Sequence, residues 1–138
     1  LRHVYRKTHI WGPFENGIWS RGELDDDYTE LYKVIECFGM KFGILICWDI
    51  EFPEPMRILG LKDVDCVFNL VAMPGTPYYN NTSRIFPRCR ATENTCFLVY
   101  CNYPQPFFGG ESCIISPNGN ELSKSGVESE QILISLIN

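Results

Sequence analysis

Three apolar runs limit what this chain can fold into. They are "KFGILIC" (41–47), "VDCVFNLVA" (64–72) and "TCFLVYCN" (95–102). Each has the length of a strand, and the second and third are so continuously apolar that they read as strands buried on both faces. Helical stretches separate them. "PEPMRILGLK" (53–62) offers Met56, Ile58, Leu59 and Leu61 as its apolar side, and "NTSRIFPRCRATEN" (81–94) carries Pro87, expected to kink it. Strand, helix, strand, helix, strand describes an α/β chain with helices on one face of a sheet. Hairpins extend the pattern at both ends. "ELYKVIECF" leads into 41–47 with Gly39 in the turn, and "ESCIIS-PNGN-EL" turns at Asn-Gly. "HVYRK" (3–7) and "QILISLI" (131–137) are the expected first and last strands. A loop rich in Gly, Pro and acids is expected from Trp11 to Asp27, and another over "MPGTPYY". No repeat, low-complexity tract or linker divides the 138 residues, which suit one domain.

Composition removes several classes of function. The net charge is −5, with no basic run or basic–aromatic stripe, so nucleic acid is not an expected partner. No apolar run is long enough to span a bilayer, and no signal peptide opens the chain. The seven cysteines are odd in number, have no CxxC spacing and mostly sit inside apolar runs. That usage fits buried free thiols in a reducing cytoplasm better than a disulfide framework, and it disfavours a thiol redox protein. His3 and His9 lie far from any cysteine cluster, so zinc is not expected. Asp49, Glu51 and Glu54 are close in sequence but lack a further ligand pattern. Neither a metal nor another cofactor is expected.

Cys47 ends a buried run just before "WDIEFPEP". A side chain there can be held by the core and still face a cleft, and the N–H that follows can stabilise an oxyanion. By composition alone, Cys47 is one more buried cysteine among seven. In the same spirit, Lys7 reads as a solvated lysine and Glu15 as an exposed acid. Arg90 and Glu93 read as a structural ion pair, and Glu54 as an acid at a helix start.

The order of four motifs adds more. "YRKTHIWGPFE", "CWDIEFPE", "RATEN" and "FGGESCIISPNG" follow one another along nearly the whole chain. Together they resemble the carbon–nitrogen hydrolase (nitrilase) superfamily, on its amidase-like branch. The resemblance implies part of an α-β-β-α sandwich of two sheets, dimerising or forming higher homo-oligomers through its helices. It also implies roles: Cys47 as nucleophile, Lys7 stabilising the tetrahedral oxyanion, Glu15 orienting substrate beside the lysine, and the Trp48 backbone N–H completing an oxyanion hole. An ammonium near a thiol is expected to favour thiolate. One donor facing the growing charge can supply about 3 kcal/mol. Attack on an amide carbon would then release ammonia and leave a thioester for water to split. Pro74, Tyr78 and Tyr79, on the expected loop, line the substrate pocket in this reading, although a plain surface loop is equally consistent with them.

The superfamily's third catalytic residue, a general-base glutamate, lies before the lysine segment. No residue here takes that role by motif. Together with a start at Leu1, this reads as the C-terminal portion (1–138) of a longer domain, and the isolated piece is expected to be poorly soluble and inactive. Asp49, two residues after the cysteine, favours amidases over true nitrilases. Glu51 replaces the usual basic residue before "FPE", and "NYPQPFFGG" replaces the usual loop after the fourth strand. A small aliphatic or cyclic carboxamide is the favoured substrate. An N-carbamoyl-amine amidase of the carbamoylputrescine type and a truncated non-catalytic relative are the alternatives.

Overall fold

The computed structural model describes residues 3–22 and 27–137. Six strands form one mixed sheet: β1 (Ile35–Cys37), β2 (Met40–Ile46), β3 (Cys66–Val71), β4 (Phe97–Asn102), β5 (Cys113–Ile115) and β6 (Glu121–Lys124). They stand in sequence order across the sheet. β2, β3 and β4 run parallel to one another, and the outer pairs are antiparallel. Two single-turn helices, α1 (Gly12–Glu15) and α2 (Tyr28–Leu31), precede the sheet. Helices α3 (Pro53–Leu61) and α4 (Pro77–Asn94) make the two crossovers. Both crossovers step the same way along the sheet. With the right-handed connection that strand twist imposes, both helices fall on one face.

Period-2 alternation sorts the strands into two faces. Gly43, Leu45, Val67, Asn69, Val71, Leu98, Tyr100, Cys113 and Ile115 are all buried, and the registers align them beneath α3 and α4. Gly43 lets α3 sit close: a Cβ there would lie 2.8 Å from Leu59 Cδ1. Met56 and Leu59 of α3 and Ala91 of α4 complete this core with no exposure at all.

The opposite face is apolar but open. Phe42, Ile44, Phe68 and Val99 are only half-buried there, and Leu70 is 49% exposed. This corrects the expectation that 64–72 is covered on both faces. A continuous apolar run shows that both faces want covering, and the described residues cover one of them. Leu61 is corrected as well: it ends α3 on the outer side and is 75% exposed. Residues 3–7 and 131–137 are not strands, because neither pairs with a neighbour among the described residues and a strand is defined by its ladder. The expected loop over 11–27 carries α1, and its residues 23–26 lie outside the described residues. α4 begins four residues earlier than expected and runs on through the buried Pro87. Among the described residues, no helix is long and apolar enough to cross a membrane.

Candidate active site

The backbone turns sharply where β2 ends. Ile46 is extended, and Cys47 has φ +51° and opens a 3-10 turn, Cys47–Glu51. A left-handed conformation costs a residue with a Cβ about 1–2 kcal/mol, so the surrounding structure has to hold it in place. The thiol is half-buried against the main core. Backbone N–H groups of Ala72, just past β3, and of Trp48 donate to its sulfur. Burial pushes the Cys47 pKa up and prevails; Lys7 and the Ala72 and Trp48 amides pull it down, and Glu15 pushes it up. As expected, the Lys7 ammonium favours the thiolate, but burial outweighs it and the net shift is upward. Desolvation disfavours the charged form by more than Lys7 restores, and Lys7 is itself shared with an acid.

That acid is Glu15. Lys7 Nζ donates to Glu15 Oε2 at 2.6 Å, and the Trp11 N–H donates to the same oxygen at 2.6 Å. α1 makes this possible, because a single turn folds Glu15 back over Trp11. Burial pushes the Glu15 carboxyl up, but Lys7 and the Trp11 amide outweigh it and hold the group below its usual range. Lys7, Glu15 and Cys47 thus form one local electrostatic group, as their spacing in sequence could not have shown.

Asp49 lies two residues beyond Cys47 and has no exposure. Its Oδ2 accepts from the Ile46 N–H at 3.0 Å and the Tyr5 hydroxyl at 2.8 Å. Its Oδ1 accepts from the Thr8 hydroxyl at 3.1 Å, the His9 N–H at 2.9 Å and His9 Nδ1 at 3.1 Å. The Tyr32 hydroxyl in turn meets Thr8 Oγ1 at 2.8 Å, and the His9 ring stacks on Phe52 at 4.0 Å. Burial and the Asp49 charge raise the Tyr5 pKa strongly, so it remains a donor. Asp49 is fully engaged by these donors and is not available as a metal ligand. No group of three metal-ligating side chains occurs among the described residues.

Two further residues brace the site. Arg90, expected only to pair with Glu93, does so at 3.2 Å, and it also donates to the carbonyls of Ile50 (3.0 Å) and Glu51 (2.7 Å). It therefore ties α4 to the turn that follows Cys47. Asn102, at the end of β4, pairs with Met73 like a short piece of strand: its Oδ1 accepts the Met73 N–H at 2.9 Å, and its Nδ2 donates to the Met73 carbonyl at 3.3 Å. Met73 follows Ala72, whose amide touches the Cys47 sulfur. Sequence reading missed the bracing role of Arg90, the Asn102 clamp and the Asp49 hub. The signal for Asn102 was a polar residue closing a buried strand, and for Asp49 a carboxylate just past the cysteine.

Pro74 is half-buried and bridges to Phe108, so it lies beside the loop after β4. Tyr78 and Tyr79 are in the first turn of α4, not on a loop; their side chains lie outside the described residues.

Residues 1–138, the whole chain, match the carbon-nitrogen hydrolase family, and the chain belongs to that family. Several curated proteins are similar to it, among them the following two. A protein called "Hydrolase in pqqF 5'region" from Pseudomonas protegens is 35% identical over 133 residues, covering 94% of this chain and 44% of that protein. The 2-oxoglutaramate amidase of Bacillus subtilis is 33% identical over 128 residues, covering 90% and 46%. Among solved structures, the amidase of Nesterenkonia sp. AN1 superposes with a TM-score of 0.79 at 30% identity, covering 90% of this chain and 47% of that one. A variant of that amidase carries the acetamide moiety of fluoroacetamide covalently on its active-site cysteine. The chain thus spans about half the length of the curated relatives it matches. Among the described residues, the one sheet and the helix layer on it make a partial carbon-nitrogen hydrolase fold.

Proposed function

We propose that the protein is a cysteine-dependent amidase in which Cys47 is the nucleophile. The left-handed turn at Cys47 carries this reading: it is strained, it ends a core strand, and two backbone amides and an ammonium converge on its sulfur. Strain of this kind persists only where the surroundings enforce it, and it gathers at sites of function. In the reaction, the Cys47 sulfur attacks the amide carbon. The carbonyl oxygen gains the negative charge, which Lys7 and the Trp48 N–H stabilise. Collapse expels the nitrogen as ammonia once it is protonated, leaving a thioester, and water hydrolyses this to the acid and the free thiol. Glu15 orients Lys7 and the bound amide. Because the resting thiol is protonated, a base has to take its proton at attack. In this reading that base is a glutamate from the part of the domain that precedes Lys7 in the family. The functional unit is then a two-sheet sandwich, of which residues 1–138 are the C-terminal portion, assembled as a homodimer or higher homo-oligomer in the cytoplasm.

A small uncharged carboxamide suits the site best. Glu51 lies in the same turn as Cys47, and a carboxylate there opposes an anionic amide by like-charge repulsion. Pro74, Tyr78 and Tyr79 form the pocket wall in this proposal.

Ammonia release from aliphatic amides by the protein's full natural chain tests the reading. Cys47→Ala abolishes release and covalent labelling by fluoroacetamide. Full release by Cys47→Ala overturns the nucleophile assignment. A preference for acidic amides over neutral ones of equal size overturns the substrate class.

A further inference from the structure

We infer that Asp49 is a positioning residue: its buried carboxylate fastens the segment bearing Lys7 to the turn bearing Cys47. The inference rests on the amidase reading above and deepens it. The segment from Tyr5 to His9 has no strand pairing among the described residues, although it carries the Lys7 ammonium that acts on Cys47. Its main-chain tie on the far side is the Gly22 N–H, which donates to the Lys7 carbonyl at 2.8 Å. On the side facing the thiol, the tie is Asp49. One oxygen joins the Ile46 amide, immediately before Cys47, to the Tyr5 hydroxyl. The other takes Thr8 and both the backbone and the ring of His9, the two residues immediately after Lys7.

Lys7 is therefore bracketed. Anchors at positions 5, 8 and 9 end on one carboxylate, and that carboxylate sits at position 49, within the turn opened by Cys47. The bracket fixes where the Lys7 main chain passes the thiol, while Glu15 fixes where the ammonium points. Charge strengthens the bracket, since hydrogen bonds to an ionised acceptor are roughly twice as strong as neutral ones. An amide in place of the carboxylate keeps the shape. It loses that strength and turns one acceptor atom into a donor facing other donors.

Asp49 acts through Lys7, so its substitution and the loss of Lys7 are not independent. The test is a double-mutant cycle on amide hydrolysis by the full natural chain, with Asp49→Asn, Lys7→Ala and the pair, and a melting curve for each. We expect Asp49→Asn to lower kcat at least tenfold while KM changes less than threefold, and to lower kcat by less than threefold further when Lys7 is already Ala. Additive losses in the pair, or an unchanged kcat in the single variant, overturn the inference. If Asp49→Asn does not fold, Thr8→Val and Tyr5→Phe serve in the same cycle. Each removes one donor and leaves the carboxylate, and each must couple to Lys7→Ala in the same way or the inference falls. The amidase reading fails separately: it is lost if Lys7→Ala or Cys47→Ala itself leaves hydrolysis intact.

Discussion

Gly43→Ala tests how tightly the helix layer is seated on the strand that ends at Cys47. The added methyl would stand 2.8 and 3.0 Å from the two Leu59 methyls and 3.3 Å from Val67 Cγ2. Carbon pairs settle at roughly 3.5–4.0 Å, so Leu59 has to retreat by about 0.5–1 Å. It has nowhere to go, because Leu59 and Val67 are both completely buried. Overpacking of this kind typically costs about 1–3 kcal/mol, and with two carbons pressed we expect about 2 kcal/mol. Leu59→Ala alone opens a cavity at a cost of about 2–5 kcal/mol. The two changes compensate in shape, since the new methyl at 43 occupies part of the space vacated at 59. The pair is therefore expected to be about 1–2 kcal/mol more stable than the sum of the singles, a coupling typical of residues in contact. Urea unfolding of the full natural chain, with midpoints and slopes for all four proteins, measures this. A Gly43→Ala variant within about 0.5 kcal/mol of the parent, or a strictly additive pair, would refute the packing argument.

Other outcomes follow from the site. Burial raises the Cys47 pKa, so alkylation by iodoacetamide should accelerate with pH and reach its half-point above the ordinary thiol value of 9.0. Lys7→Ala should move that half-point higher still, and a half-point below 9.0 would contradict the burial argument. Arg90→Ala leaves the Ile50 and Glu51 carbonyls without their charged donor and should cost about 2–3 kcal/mol in urea unfolding. Glu111 accepts from Arg84 at 2.7 Å and Lys124 at 2.8 Å, and these partners hold its pKa below 4.5. A lowered folded pKa means that its contribution is present above pH 4.5 and is lost as pH falls through the folded value. Arg84 is half-exposed, so the effect is only about 0.2–1 kcal/mol, and Glu111→Gln should flatten the stability curve in that acid range.

The sheet was legible because β2, β3 and β4 are written as apolar runs at strand length, with helices of the right size between them. Asn-Gly at 118–119 marked the last hairpin, and Gly119 does take φ +81°. The ends were not legible. Residues 131–137 alternate like a strand, and half of that alternation, Ile132, Ile134 and Leu136, is exposed; period 2 describes a preference for pairing and does not supply a partner. The same limit explains residues 3–7. At the site, motif order pointed to Cys47, Lys7 and Glu15, while the direction of the thiol's pKa depended on burial, a three-dimensional quantity. The Asp49 hub was also out of reach, because all of its donors but the Ile46 amide come from positions some forty residues away.

The strand order has a consequence for how the molecule is made. Each strand pairs with the one synthesised just before it. The sheet can therefore grow in the order in which the chain leaves the ribosome, each new strand docking on the one before it, a topology that favours rapid assembly. The thiol is not finished when its own strand is. Cys47 emerges with β2, yet one of the amides on its sulfur arrives only with Ala72 after β3, the loop carrying that amide is pinned only by Asn102 after β4, and the turn is braced only when Arg90 of α4 has docked. The surroundings of Cys47 are thus completed more than fifty residues of chain after its synthesis. During that interval Cys47 is a solvated thiol without the burial and amide contacts that set its pKa in the finished fold.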